Sequence, residues 1–223
     1  MKEIDVYKVL EGKNPKLARR VPRFVVDYLR RTIHEREVNE ILARFGDLEG
    51  IAFVRAALGY MNVRYHSVGM ERLNPEGRYV FASNHPFGGM DGLMLADEVA
   101  RYFGDVRVVV NDLLMYLGPL RGLFVPVNKH GRQDAGSVEA FNNAFASDVP
   151  IVTFPAGLCS RRRRGVVRDL EWKPNFVKKA AAYGRDVVPV YFNGRLSDFF
   201  YRLSNLRTVL GLSLIHISEP TRP

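Results

Sequence analysis

The sequence predicts an α/β fold, a mixed, largely parallel sheet flanked by helices and preceded by an N-terminal helical cap. Two observations favour this class. After residue 70, short and nearly continuous apolar runs recur, rich in β-branched and aromatic residues, which is typical of strands buried on both faces. Stretches with helical spacing separate these runs, and strands that alternate with helices favour a parallel or partly parallel sheet.

The elements follow from these patterns in chain order. Before residue 70, three amphipathic stripes predict helices, at Phe24, Val25, Tyr28, Leu29 and Ile33, then Val38, Ile41, Leu42 and Phe45, then Ile51, Val54, Leu58 and Met61. Five strands are predicted at 79–82, 106–110, 123–127, 151–154 and 187–191. Three further helices are predicted at 92–102, 135–146 and 175–183.

The chain divides into three parts. Residues 1–70 form the predicted amphipathic helical cap, and residues 71–212 form the α/β domain. Residues 213–223 resemble a translated sequencing adapter, so we expect natural sequence to stop near Gly211 or Leu212, leaving the domain truncated at its C-terminus. This tail, including His216, is excluded from functional reasoning.

The amino-acid composition and net charge indicate which classes of partner the protein binds. The chain has 223 residues with 47% hydrophobic content, which fits one medium domain with a sizeable core. Its 33 Lys and Arg exceed 24 Asp and Glu, and a net charge of +9 favours an anionic partner such as phospholipid headgroups, an acidic carrier protein or nucleic acid. One Cys excludes a disulfide framework, and no apolar run reaches membrane-spanning length, so we expect a cytoplasmic protein that lies on a membrane.

A histidine and an aspartate lie together in a predicted strand-to-helix turn, Asn84-His85-Pro86-Phe87-Gly88-Gly89-Met90-Asp91-Gly92. An imidazole oriented by a carboxylate acts as a general base, so we expect His85 to be the base and Asp91 its orienting partner. Asp91 also suits a helix N-cap, and Asp97 is the nearest competing carboxylate. No Ser or Cys nucleophile adjoins the pair, so the attacking group is expected to be the substrate's own hydroxyl or amine.

This turn resembles the first motif of the glycerolipid (lysophospholipid-type) acyltransferases, although five residues rather than the usual four separate His85 from Asp91. The branch that it most resembles is a bacterial hemolysin-like one. Three later segments resemble the family's other motifs in the family's order: Gly122-Leu123-Phe124-Val125-Pro126-Val127-Asn128-Lys129, Thr153-Phe154-Pro155-Ala156-Gly157-Leu158-Cys159-Ser160-Arg161, and Val187-Val188-Pro189-Val190.

The resemblance implies that His85 takes a proton from an acceptor as the acceptor attacks an acyl thioester. It further implies that Lys129, where Arg is usual, meets the acceptor's phosphate, and that Pro155 and Gly157 belong to the substrate site. Ala156 replaces the usual Glu of the third motif, which helps to hold a polar acceptor. Both a lysophosphatidic acid-like acceptor and a lyso-amino-acid lipid, whose carboxylate would replace the phosphate, therefore remain open.

Other residues near the turn are candidates for substrate binding. Gly88 and Gly89 suit a tight turn, and the amides of the helix N-terminus there suit an acyl oxyanion or a headgroup anion. Asn84 is a candidate hydrogen-bond donor or a turn residue. Arg161 is the best candidate for the acceptor's anion or the donor's phosphopantetheine arm. The rest of this basic run, 162–164, is either a contact for a membrane or acyl carrier protein or a solvated loop.

The predicted function is transfer of a fatty acyl group from an acyl carrier protein (ACP) or coenzyme A (CoA) thioester to a lyso-lipid in membrane lipid biosynthesis. The thioester is a co-substrate, and no cofactor is expected besides it. No metal is expected either, because the His residues are scattered without ligand spacing. A basic stretch is either an ordinary solvated helix face or a contact for an anionic membrane, at the inner face of the cell membrane, through Lys16, Arg19, Arg20, Arg23, Arg30, Arg31 and Arg36. No nucleic acid is expected. The alternative is a non-catalytic basic module that binds anionic membrane or nucleic acid.

Overall fold

A computed structural model describes residues 5–13, 15, 21–32, 35–127, 135–163, 165–198 and 201. The α-helices among them are α1 (Val6–Lys13), α2 (Arg23–Thr32), α3 (Glu35–Phe45), α4 (Gly50–Tyr60), α5 (Gly89–Phe103), α6 (Ala135–Ala146) and α7 (Asn175–Ala182). The strands are β1 (Tyr79–Ser83), β2 (Arg107–Asn111), β3 (Phe124–Val127), β4 (Ile151–Thr153), β5 (Arg161–Arg163), β6 (Val166–Arg168) and β7 (Asp186–Val190). Short 3-10 turns lie at Met70–Arg72, Asp112–Tyr116 and Gly118–Leu120.

Five strands form one sheet in the order β3-β2-β4-β1-β7, and every pairing described in it is parallel. β1 lies between β4 and β7, with Ala82 beside Thr153 and Ser83 beside Val190. All five residues of β1 are buried. Because the strands are parallel, their carboxyl ends meet at one edge of the sheet, where open α/β sheets place their ligands.

Helices cover both faces of this sheet. Phe81 belongs to a large apolar cluster that includes residues of α4 and α5, whereas its neighbour Val80 packs with Phe145 of α6 and Ala180 of α7. Successive side chains of a strand point to opposite faces, so β1 contributes to both layers. The α/β class and its N-terminal helices, predicted from the sequence, are confirmed.

Most predicted elements appear within a few residues of their expected places, with three differences. The helix after His85 starts at Gly89 rather than at residue 92. An additional helix, α1, precedes the three predicted N-terminal helices. Within the arginine run, for which a solvated loop was one interpretation, Arg161–Arg163 form β5 of an antiparallel hairpin with β6, and Gly165 adopts φ 82° between the two strands.

Buried charges attach the N-terminal region to α5. Asp97 is 4% exposed and accepts hydrogen bonds from Tyr65 (2.6 Å), from Arg55 on α4 (2.8 Å) and from Arg101 on α5 (2.8 Å). Its neighbour Glu98 accepts a short hydrogen bond from Ser67. Burial raises the pKa of Asp97, but the bonds from Tyr65 and Arg55 and the charge of Arg101 outweigh it, so this pKa lies below its ordinary value.

Some predicted membrane-facing cations are paired within the protein. Arg30 lies 3.4 Å from Asp5 and from Glu35, and Arg36 lies 3.7 Å from Glu40. Arg23 and Arg31 are exposed, whereas Lys16, Arg19 and Arg20 lie outside the described residues. In the described part of the chain, every helix is too short or too polar to cross a membrane.

We expect Asp97→Asn to lower the free energy of unfolding at pH 7 by about 1–3 kcal/mol, because the buried side chain loses charge-assisted hydrogen bonds from Arg55 and Arg101. The folded pKa of Asp97 is depressed, so its contribution is present above the unfolded pKa and is lost as pH falls through the folded pKa. Urea unfolding of both proteins between pH 7 and pH 3 checks the difference.

Asp148→Asn is the matched control, since Asp148 also pairs with an arginine, Arg78 at 3.1 Å, but its side chain is 96% exposed. An exposed pair contributes at most about 1 kcal/mol. Equal losses in the two variants at pH 7, or a loss in Asp97→Asn that grows as the pH is lowered, would contradict the assigned network.

Candidate active site

His85 lies two residues beyond the carboxyl end of β1, and its imidazole faces Asp91. The Nδ1 atom of His85 is 3.1 Å from Oδ2 of Asp91. The His85 side chain is 18% exposed and that of Asp91 is fully buried. The predicted pairing of these two residues therefore exists despite the extra residue between them, and the competing Asp97 is bound elsewhere, to Arg55, Arg101 and Tyr65.

Asp91 lies in the first turn of α5. The N-cap of this helix is Gly88, which has no side chain that could accept a capping hydrogen bond. Oδ2 of Asp91 accepts the backbone N–H of Phe87 at 2.8 Å, so this carboxylate reaches back over the helix start from within the helix. The amino end of a helix stabilises a negative charge. The sequence also suggested Asp91 as the N-cap of this helix, but the N-cap is Gly88.

Two atoms of this pair lack aligned partners. Nδ1 of His85 and Oδ1 of Asp91 are buried and make no aligned hydrogen bond with any residue that the structure describes, although Nδ1 is close to Oδ2. The contact is therefore a close approach of ring and carboxylate.

The loop after β4 forms the opposite wall of the site. The rings of His85 and Phe154 lie 4.2 Å apart with a 30° angle between their planes. Pro155 and buried Ala156 form a turn closed by a 2.8 Å hydrogen bond from the Gly157 N–H to the Phe154 carbonyl, and Gly157 adopts φ 66°. Phe154 was quoted within a motif but was not predicted as a contact of His85.

Gly88 and Cys159 bring this loop against the start of α5. Gly88 adopts φ 71° and ψ −129°, and a Cβ added to it would lie 3.0 Å from Sγ of Cys159. Burial raises the pKa of the Cys159 thiol, and the charge of Asp91 adds to this, against the opposing effect of Arg161. The thiol is therefore held neutral, which does not suit a nucleophile.

The remaining predicted site residues have different surroundings. Asn84 forms a two-bond contact with the backbone of Phe192, since its Nδ2 donates to the carbonyl at 3.0 Å and its Oδ1 accepts the N–H at 2.7 Å. This contact ties the residues after β1 to those after β7. Gly89 starts α5, and apart from the backbone of its own helix no atom of the described residues lies within 4 Å of a Cβ added to it. Lys129 lies outside the described residues.

Arg161 starts β5, directly after the loop that contacts His85. Its Nη1 donates to the carbonyls of Cys159 at 3.0 Å and Ser160 at 3.4 Å, which folds the guanidinium back over that loop. In the hairpin Arg161 lies directly opposite Arg168. Like charges opposite one another in an antiparallel pair are destabilising.

Gly88→Ala should lower the free energy of unfolding by about 1–3 kcal/mol from backbone strain, with a further loss from its contact with Cys159. Gly104→Ala is the matched control, because Gly104 also has a positive φ, 82°, but among the described residues no atom beyond its chain neighbours lies within 4 Å of an added Cβ. Denaturant unfolding of both variants, alone and combined with Cys159→Ala, measures how much of the lost stability comes from the contact between the added Cβ at position 88 and Sγ of Cys159. Cys159→Ala should restore part of the stability to Gly88→Ala and none to Gly104→Ala; equal effects would contradict this close approach.

Comparison of the sequence with known proteins places this chain in a family. Residues 8–218 match an acyltransferase family. The chain is 46% identical over 210 residues to a lyso-glycine lipid O-acyltransferase of Bacteroides thetaiotaomicron, a match that covers 94% of this chain and 77% of the relative. A protein of the same description from Phocaeicola vulgatus is 43% identical over 210 residues, covering 94% and 75%. The chain therefore belongs to the acyltransferase family, and among its members it is similar to enzymes that acylate lipids.

Proposed function

We propose that this enzyme moves a fatty acyl group from an ACP or CoA thioester to the hydroxyl of a lyso-glycine lipid, or of a closely similar lyso-amino-acid lipid. The observation that carries the proposal is the approach of His85 Nδ1 to the buried Asp91 carboxylate at 3.1 Å, at the sheet edge of an acyltransferase. The two relatives, each described as a lyso-glycine lipid O-acyltransferase, support this acceptor and favour an ester product.

In the proposed mechanism, Nε2 of His85 takes the proton of the acceptor hydroxyl while Asp91 orients the ring through Nδ1. The hydroxyl oxygen attacks the thioester carbonyl carbon and forms a tetrahedral oxyanion. Collapse of this intermediate forms the ester C–O bond and breaks the C–S bond. The departing thiolate takes the proton from the imidazolium, so the site returns to its starting state.

The oxyanion requires hydrogen-bond donors at the place where its charge develops. We assign this role to backbone amides at Gly88 and Gly89, where α5 begins without a side-chain cap. The first amides of a helix have no partner within the helix, and the helix dipole favours an anion there. At Gly89 the absence of a side chain leaves room for the acyl group to approach the backbone, whereas the space beside Gly88 is taken by Sγ of Cys159.

The acceptor's carboxylate is assigned to Arg161. Nη1 of Arg161 is bound to the Cys159 and Ser160 carbonyls, while its Nε and Nη2 make no hydrogen bond with any part of the chain that the structure describes. A guanidinium held in this way suits the two oxygens of a carboxylate. Ala156 is buried and stands where the family motif that this segment resembles usually has Glu, so an acidic group that would repel such a headgroup is missing. Lys129 remains our candidate for a second contact with the acceptor.

The net charge of +9 suits both proposed donors, because ACP and CoA are anionic, and it suits an anionic membrane. We propose that the protein lies on the inner face of the cell membrane and that the exposed cations Arg23 and Arg31 of α2 contact lipid. The alternative of a non-catalytic basic module does not account for the His85–Asp91 pair or for membership of an acyltransferase family.

His85→Ala and Asp91→Asn should each lower kcat/KM by about 10²- to 10⁴-fold, because the first removes the base and the second removes the charge that orients it. The assay supplies liposomes that contain a lyso-glycine lipid, with acyl-ACP or acyl-CoA, and measures diacyl product by mass spectrometry. His66→Ala is the control, since His66 is an exposed histidine away from this turn. A His85→Ala enzyme with wild-type activity would exclude the mechanism.

Arg161→Met should raise KM for the lyso-glycine lipid about 10- to 100-fold, the effect of losing charged hydrogen bonds to the carboxylate. The same variant should have little effect on the corresponding glycinamide lipid, whose headgroup carries no charge. Arg163→Met is the matched control, since Arg163 is an exposed residue of the same strand. An equal rise in KM for the glycine lipid and the glycinamide lipid would mean that Arg161 binds the acyl donor or stabilises the fold, and does not bind the acceptor's carboxylate.

A further inference from the structure

Asp169, which follows β6, contacts the backbone of His85 across 84 residues of chain. Its Oδ1 accepts the backbone N–H of His85 at 3.2 Å and the hydroxyl of Ser160 at 2.5 Å. Its Oδ2 accepts the indole N–H of Trp172 at 2.9 Å. Both carboxylate oxygens therefore accept hydrogen bonds. The three donors come from three separate segments of the chain, which contain His85, Ser160 and Trp172.

Ser160 completes the contact from the other side of the same peptide. Its backbone N–H donates to the carbonyl of His85 at 2.8 Å, and its side chain is buried and bound to Asp169. Asp169 and Ser160 together thus satisfy both the N–H and the C=O of His85. These two bonds, which we call the His85 clamp, have the same form as the bonds that a neighbouring strand would supply.

His85 needs such a clamp because the sheet no longer holds it. The described pairing of β1 with β4 ends at Ala82, and its pairing with β7 ends at Ser83. From His85 onward the chain turns through Pro86 towards Gly88. Without the clamp, the Cα from which the imidazole projects would be held by its covalent neighbours and by the contacts of the ring with Phe154 and Asp91.

We propose that Asp169 is a positioning residue for acyl transfer, which fixes the backbone of His85 so that its imidazole meets Asp91 and the acceptor hydroxyl. The inference rests on the proposed function in that His85 is the base. Asp169 acts through the His85 peptide and not on the substrate. A displacement of about 1 Å at a reacting group costs as much as about 100-fold in rate, so loss of the clamp should lower kcat rather than raise KM.

The test uses Asp169→Asn, which keeps the shape of the side chain. An amide has one oxygen and one NH₂ group, so if the oxygen faces the His85 N–H and Ser160, the NH₂ group opposes the indole N–H of Trp172. We expect kcat to fall about 10- to 100-fold with KM for both substrates within about twofold. Trp172→Phe removes the opposing donor, so the double variant Asp169→Asn/Trp172→Phe should recover much of the lost kcat.

Two further variants separate positioning from a general loss of structure. Glu171→Gln removes the same charge from an exposed residue two positions away and should leave kcat and Tm unchanged. Asp169→Ala removes all three bonds and should lower kcat further. All activities are measured at a temperature where each variant is folded by circular dichroism. A loss of kcat that follows Tm, without recovery in the double variant, would assign Asp169 a purely structural role and overturn the proposal.

His85→Ala, assayed in parallel, distinguishes failure of this inference from failure of the proposed function. If His85→Ala is inactive while Asp169→Asn and Asp169→Ala retain wild-type kcat, the clamp is not needed for positioning and only this inference fails. If His85→Ala is fully active, the proposed base is wrong, and the positioning role assigned to Asp169 falls with it. Loss of kcat in both variants, with recovery by Trp172→Phe, supports the two together.

Discussion

Complete burial of β1 is the constraint on which the rest of the structure depends. All five residues of this strand are buried, and β4 and β7 pair with it in parallel on its two sides. A shift of register by one residue would exchange the faces on which Val80 and Phe81 lie, so the strand has one stable position. The chain therefore leaves the sheet at one place, and His85 emerges beside the loop after β4 and the residues after β7.

The site combines two ways of placing a functional group, one local and one distant along the chain. Asp91 is placed locally, because it lies in the first turn of α5 and binds the N–H of Phe87 four residues before it. His85 is also held by contacts distant in sequence, with Phe154, Ser160 and Asp169. Fold stability alone would not require a buried carboxylate, since apolar packing in place of buried charge is often equally stable or better. Its presence beside an imidazole supports a chemical role for the pair.

The strands and interior helices were predictable because each has a strong local pattern. The predicted helix 135–146 and the observed Ala135–Ala146 coincide, and the five long apolar runs all became strands. The β5–β6 hairpin was not predicted, since a run of arginines has no alternating apolar pattern and its pairing depends on the Gly165 turn. α1 was also missed, although Asp5 gave a sign of it: its side chain accepts the N–H groups of Tyr7 and Lys8, as an N-cap residue does.

The sequence by itself determined the fold class, the turn that carries His85 and Asp91, and the order of the motifs around it, because these depend on residue type and short-range spacing. Only the tertiary structure decided that Asp91 rather than Asp97 faces the imidazole, since Asp97 is held by Arg55, Arg101 and Tyr65. It alone brought Asp169 to the His85 backbone. Contacts across so many residues follow from the packing of whole elements and from hydrogen-bond direction, neither of which leaves a pattern in a local stretch of sequence.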